Sequence, residues 1–250
     1  MQAFWTLTRR ELGAYFLSLT GYLIIAAATF LLGFSFVVLL VKLQQEPTSM
    51  PVTELFYNTA FFWLILLLAT PVITMRLFAL EKFTGTFETL MTAPVSDLQV
   101  VLAKFSAALL FYLIMWLPLL ACLFVVRYYT NDPAAFDAGA VSSTFLGILL
   151  LGGLFISAGC CASAVTRSQV TAAMISLLFG GSLFLLGVFA GQLPEQSSWQ
   201  AQALAHVSLF DHMHDFARGA VDTRPIVLLV TLTLFFLFLT LRVVESRRWK

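Results

Sequence analysis

Residues Phe56–Met75 read FYNTAFFWLILLLATPVITM, and Arg76–Phe105 follow as RLFALEKFTGTFETLMTAPVSDLQVVLAKF. The first stretch contains no acid, base or histidine. A helix needs about 20 apolar residues to cross the roughly 30 Å of bilayer hydrocarbon, so it is long enough to span. Five other runs share its character: Leu17–Val41, Phe105–Val126, Val141–Thr166, Val170–Gly191 and Pro225–Leu241. Barrel strands would alternate with polar residues, so these unbroken runs predict helices. The expected fold is an all-α integral membrane protein with six transmembrane helices, forming one domain over residues 1–250.

Composition agrees with that reading. The chain of 250 residues is 60% hydrophobic, 14% aromatic and 11% charged, with a net charge of +1. Ordinary soluble domains carry about 25% charged residues. The mean hydropathy of +0.93 excludes a disordered chain, and the near-zero net charge gives no basic surplus for nucleic acid. Cys122, Cys160 and Cys161 sit within apolar runs, as small packing residues do. No cleavable signal is expected, because the first run is too long and lacks a small-residue cleavage site.

Six spans place both termini on one side, and positive charge selects which. With the termini inside, Arg9, Arg10, Arg76, Lys82, Lys104, Arg167, Arg242, Arg247, Arg248 and Lys250 face the cytoplasm. Only Lys42, Arg127, Arg218 and Arg224 remain outside. Both termini are therefore expected in the cytoplasm.

Outside the spans, Met1–Phe16 carries Phe4, Leu7, Leu12, Tyr15 and Phe16 on one stripe, which predicts an amphipathic interfacial helix. Residues Lys42–Leu55 and Arg127–Ala140 are short external loops with Pro47, Pro51 and Asn131-Asp132-Pro133 as turn signals. The long external segment Gln192–Arg224 has helical spacing over Gln200–Ala220 through Leu204, Val207, Phe210, Met213 and Phe216. One or two short helices on the outer face are expected there. The cluster Asp211-His212-Met213-His214-Asp215, with His206 upstream, is read as the polar face of such a helix. On a helix, His212 and His214 point apart by about 200°, so no metal site is expected.

Several functions lack their chemistry. Ion-coupled carriers keep ionisable groups at membrane depth, and the six runs contain none. No phosphate-cradling G-x-x-x-x-G-K-[ST] motif occurs. No catalytic residue is assigned, and work across the membrane would draw its energy from another chain. A non-transporting membrane scaffold or assembly factor is the alternative.

The 76–104 loop is the most distinctive segment. Leu77–Lys82 continues the second span, Thr84-Gly85-Thr86 breaks it, and Phe87–Met91 makes a short helical turn. Thr92-Ala93-Pro94 stops that turn, and Ser96 caps the next helix with Asp97 at its start. Small residues add a packing expectation. Gly152, Gly153, Ser157, Gly159, Cys161 and Ser163 on span four, with Ser176, Gly180, Gly181, Gly187 and Gly191 on span five, predict close approach of those two spans.

Glu81, Lys82, Gly85, Thr86, Glu88, Leu90, Pro94, Val95, Ser96 and Lys104 together resemble the loop signature of type-2 ABC transporter permeases. Phe216–Asp222, with Arg218, Gly219 and Asp222, resembles a short segment of the gliding-motility branch of that family. The resemblance implies a permease subunit in a bacterial inner membrane, paired with a second permease copy and two separate ABC ATPase subunits. It implies ATP and Mg on those ATPases, with no cofactor bound by this chain. The turn at Phe87–Met91 would be the coupling helix docking on the ATPase, with Glu81 and Lys82 at its hinge and Glu88 facing the partner. By the same resemblance, spans one, two and five would form the seam between copies. ATP hydrolysis would export a substrate or move a periplasmic accessory partner.

Overall fold

The computed structural model describes residues 2–45, 52–57, 59–87, 95–130, 137–190 and 208–248. Ten helices occur among them, and no strand. They are α1 (Gln2–Phe16), α2 (Leu19–Gln45), α3 (Val52–Tyr57), α4 (Ala60–Thr74) and α5 (Ala79–Thr84). After these come α6 (Asp97–Thr130), α7 (Ala138–Val165), α8 (Gln169–Ala190), α9 (Leu209–Ala217) and α10 (Thr223–Arg248). Six stretches are long and apolar enough to cross a membrane: Leu19–Gln44, Ala60–Thr84, Asp97–Tyr129, Ala138–Val165, Gln169–Phe189 and Thr223–Ser246.

Two boundaries differ from the apolar pattern. Phe56 and Tyr57 belong to α3, a separate short helix, and a new helix starts at Ala60. Thr59 makes that break, because both its amide and its hydroxyl bond the Phe56 carbonyl, at 3.0 and 2.6 Å. Helix α6 starts at Asp97, well before the apolar run. There the Ser96 hydroxyl accepts from the Gln99 amide and the Gln99 side chain accepts from the Ser96 amide, both at 3.3 Å. This reciprocal capping box fixes the helix start in polar sequence.

Helix α7 is the axis of the fold. Its residues are buried along most of their length, and α4, α6, α8 and α10 surround it. Its glycines explain how. A Cβ on Gly152 would stand 2.2 Å from the Tyr112 ring of α6, and one on Gly159 would stand 2.2 Å from Thr74 Oγ1 of α4. Gly147 gives its space to Met213 and Phe216 of α9. The small residues of span four therefore serve several neighbours, and the expected pairing with span five is only part of their use. Gly180 of α8 admits Phe155 of α7, whereas Gly181 meets nothing within 4 Å. A central helix needs small residues on every side, so a stripe alone does not name its partner.

Helix α1 packs against α6. Leu7, Leu12 and Phe16 lie against the core and Tyr15 is buried in it, while Trp5, Arg9 and Arg10 are exposed. The Tyr15 ring stacks on Phe111 at 4.7 Å, and its hydroxyl donates to the Ile73 carbonyl at 2.9 Å. Burial holds this hydroxyl protonated well above the ordinary tyrosine range.

Candidate functional site

The segment leaving α4 is anchored residue by residue. The Ser163 hydroxyl near the end of α7 accepts from the Phe78 and Ala79 amides at 3.1 and 3.0 Å and donates to the Met75 carbonyl at 3.3 Å. These bonds satisfy backbone groups in the turn between α4 and α5. Lys82 donates to the Ala164 carbonyl, and its ammonium lies over the Phe87 ring at 5.4 Å. Gly85 then ends α5 with φ of 75°, a left-handed conformation that glycine adopts without steric penalty. The Thr84 and Thr86 hydroxyls meet at 2.9 Å across this cap. Phe87 turns inward and is buried.

Glu81 joins this segment to two other helices. Its carboxylate lies 2.7 Å from Lys104 Nζ of α6 and 3.6 Å from Arg10 of α1. Glu11 of α1 completes the cluster, at 3.3 Å from Lys104 and 2.8 Å from Arg10. The Glu11 hydrogen bond pushes the Arg10 guanidinium further up from its ordinary range. Lys104 is only 2% exposed and its ammonium also lies 5.4 Å from the Phe78 ring. A lysine is seldom buried so fully unless paired, and here it faces two carboxylates. Movement of the 76–104 segment at Glu81 would thus act on α1 and α6 together.

The structure brings Glu81, Lys82, Gly85, Thr86 and Phe87 into this one region. Glu88, Leu90 and Pro94 lie outside the described residues, as does most of the expected coupling helix. Glu11 and Arg10 were not singled out from sequence as site residues. The signal for Glu11 was present, because an acid at position 11 falls on the inward stripe of Leu7, Leu12 and Tyr15.

A second constellation occupies the opposite end of the bundle. Glu54 of α3 has a side chain 3% exposed, 2.8 Å from Arg218 Nε and 3.1 Å from His214 Nε2. Around it, Thr53 donates to the Ala217 carbonyl at 2.8 Å, Tyr57 to Phe210 at 2.7 Å and Ser143 to Phe216 at 2.6 Å. Burial holds the Tyr57 hydroxyl well above the ordinary tyrosine range. Helix α9 starts where Ser208 accepts from the Asp211 amide at 3.4 Å. It ends in a Schellman motif, with Ala220 N–H on the Asp215 carbonyl at 2.9 Å and Gly219 at φ of 89°. Asp222 accepts from the Arg224 amide at 3.1 Å and so caps α10.

Among the described residues no group of three metal-ligand side chains could hold an ion. Within the Asp211–Asp215 cluster, Met213 is buried and His214 faces Glu54. His206, Leu204 and Val207 lie outside the described residues, as do Pro47, Pro51 and Asn131-Asp132-Pro133.

A family profile for the ABC-2 type transporter matches residues 2–221, which takes in α1, the 76–104 segment and both clusters. The chain belongs to the ABC-2 type transporter family. No curated protein matches it in direct sequence comparison. As a family member it is a permease, the multi-pass membrane component of an ABC transporter, and a transport component rather than a catalyst. The narrower gliding-motility branch gains no support from this match. Arg218, Gly219 and Asp222 instead have local roles: an ion pair, a left-handed helix end and a helix cap.

Proposed function

We propose that this ABC-2 permease pairs with a second permease copy and works with two separate ATPase subunits that dock on the 76–104 segment. On this reading the Arg76 end of the bundle faces the cytoplasm, in agreement with the excess of Lys and Arg there. The membrane is the inner membrane of a bacterium, and ATP and Mg bind the ATPases. The work done is export of a substrate or movement of an accessory partner on the far side.

The observation that carries the reading is the buried Lys104 with Glu81 and Glu11. It gives a displaced coupling segment a direct path to α1 and α6. By the family resemblance, Glu88, Leu90 and Pro94 would belong to the contact with the ATPase.

The test is ATP turnover by the reconstituted complex with Phe87→Ala, Glu88→Ala and Leu90→Ala variants. Permease-dependent stimulation should fall while the subunits still co-purify. Unchanged stimulation would remove the coupling role, and failure of any ATPase to co-purify in mild detergent would favour the membrane scaffold.

A further inference from the structure

Beside the Glu81 cluster lies a cavity of about 230 Å³, lined by residues of α1, Ser18 before α2, Arg76 and Leu77 in the turn after α4, Leu80 and Glu81 of α5, and Lys104 of α6. Five charged side chains line it. Lys104 and Arg10 are matched by Glu11 and Glu81. Arg76 is the fifth. It donates to the Thr20 hydroxyl, and among the described residues no carboxylate lies within ion-pair distance of it. The cavity therefore holds one unbalanced positive charge, on a guanidinium whose fork of donors suits phosphate oxygens.

The neighbouring turns of α2 and α4 are apolar and open. A groove of about 170 Å³ runs between α2 and α4, with Leu23, Ala27 and Leu31 on one wall and Leu68 and Val72 on the other. Arg76 follows the end of α4 shortly after Val72 and donates to Thr20 of α2, one helical turn before Leu23 and Ile24, so the groove begins beside the charged cavity. Leu17 and Leu19, on either side of the cavity residue Ser18, are almost fully exposed.

We propose that cavity and groove form one phospholipid site, with the phosphate diester on Arg76 and an acyl chain between α2 and α4. A phosphate diester carries one negative charge, which matches the single unbalanced guanidinium. An acyl chain matches a groove whose walls are Leu, Ile, Val and Ala. The other carboxylates at the cavity, Glu11 and Glu81, are held by Lys104 and Arg10 and leave Arg76 open to an anion. The occupant is a lipid of the leaflet nearest the Arg76 end. The proposal is independent of any ATPase partner; it requires a seam between copies that leaves the α2–α4 groove open, and so departs from the seam of spans one, two and five that the resemblance implies.

The test uses the full chain in mild detergent with dioleoyl phosphatidylglycerol, counting lipids retained per chain by native mass spectrometry. Arg76→Gln should lower retention about tenfold, the effect of losing one charge-assisted contact, while Arg76→Lys should hold it within about threefold. Ala27→Trp, at an exposed position in the groove, should lower retention without touching the charged cavity, and it carries the test if Arg76→Gln fails to fold. Dioleoylglycerol, which lacks the phosphate, should not be retained. Equal retention by wild type, Arg76→Gln and Ala27→Trp would overturn the proposal. Displacement of the lipid by millimolar inorganic phosphate would reduce the site to a free-anion pocket and overturn it too. Disulfide cross-linking of Ala27→Cys between two copies would show that the second copy covers the groove, and would do the same.

Discussion

Both ends of the bundle are held by a buried charge, but the two are built in opposite senses. At the Arg76 end the buried member is a cation, Lys104, and its carboxylates reach in from α1 and α5. At the other end the buried member is a carboxylate, Glu54, and its partners are more exposed: Arg218 at 50% and His214 at 33%. The Arg76 end is joined across α1, α5 and α6 largely by long ionic side chains. The Glu54 end adds three hydroxyl bonds onto backbone carbonyls of α9. Long charged side chains can exchange partners as helices shift, whereas a hydroxyl bonded to a fixed carbonyl cannot follow. At the first end the ionic contacts among α1, α5 and α6 are suited to movement while Ser163 and Tyr15 hold the backbone around the α4–α5 turn, and the second end holds α9 in place.

The strongest way to break this comparison is Lys104→Met. It would leave Glu81 and Glu11 facing each other with their buried partner gone, and removal of one member of a buried pair costs about 3–5 kcal/mol. Both carboxylates keep some access to solvent, so the lower end of that range is expected in a thermal melt in detergent. The double change Glu81→Lys with Lys104→Glu should recover part of the loss. Recovery confined to one partner order would show that Glu11 and Arg10 dominate the cluster.

Gly152→Ala tests the shared axis and should disturb both ends equally. Its new methyl would meet the Tyr112 ring, and overpacking of this kind costs about 1–3 kcal/mol. An unchanged melting temperature would mean that α6 and α7 separate easily. Thr53→Val should cost about 1 kcal/mol, the net worth of one hydrogen bond, and should raise proteolysis or hydrogen exchange in α9 alone. Spread of that exchange to α1 would contradict the separation of the two ends.

The smallest effect is on alkaline stability. Tyr15 and Tyr57, one at each end, donate to backbone carbonyls and are held protonated above their ordinary range. Their contribution is complete below the unfolded tyrosine value of about 10 and is lost as pH rises beyond it. Tyr15→Phe and Tyr57→Phe should each flatten the fall in melting temperature above that pH.

Much of the architecture was legible because a spanning helix requires a long run without charge. The six runs, the helical break at Gly85 and the Ser96 cap all depend on local sequence. The helix α3 was not legible, since Thr59 interrupts the uncharged run through the bonds of its own amide and hydroxyl to the Phe56 carbonyl. The burial of Glu54 depends on Arg218, 164 positions away in sequence, and no local pattern announces it. Glu11 stood between these cases: its position on the inward stripe was visible, but its partners were not. The targets of the span-four glycines were hidden for the same reason, because a stripe of small residues shows room without showing who uses it.

Helix α6 carries one more consequence. Its 34 residues form a rod of roughly 50 Å at 1.5 Å per residue, footed in the Ser96 capping box and passing Lys104 within its first turns. A tilt of about 5° at that foot would displace the far tip by about 4 Å over such a length. Pro118 removes one backbone donor from the rod, so the part beyond it can bend on its own. The helix thus acts as a jointed lever whose longer arm holds Lys104 and whose shorter arm carries Tyr128 and Tyr129.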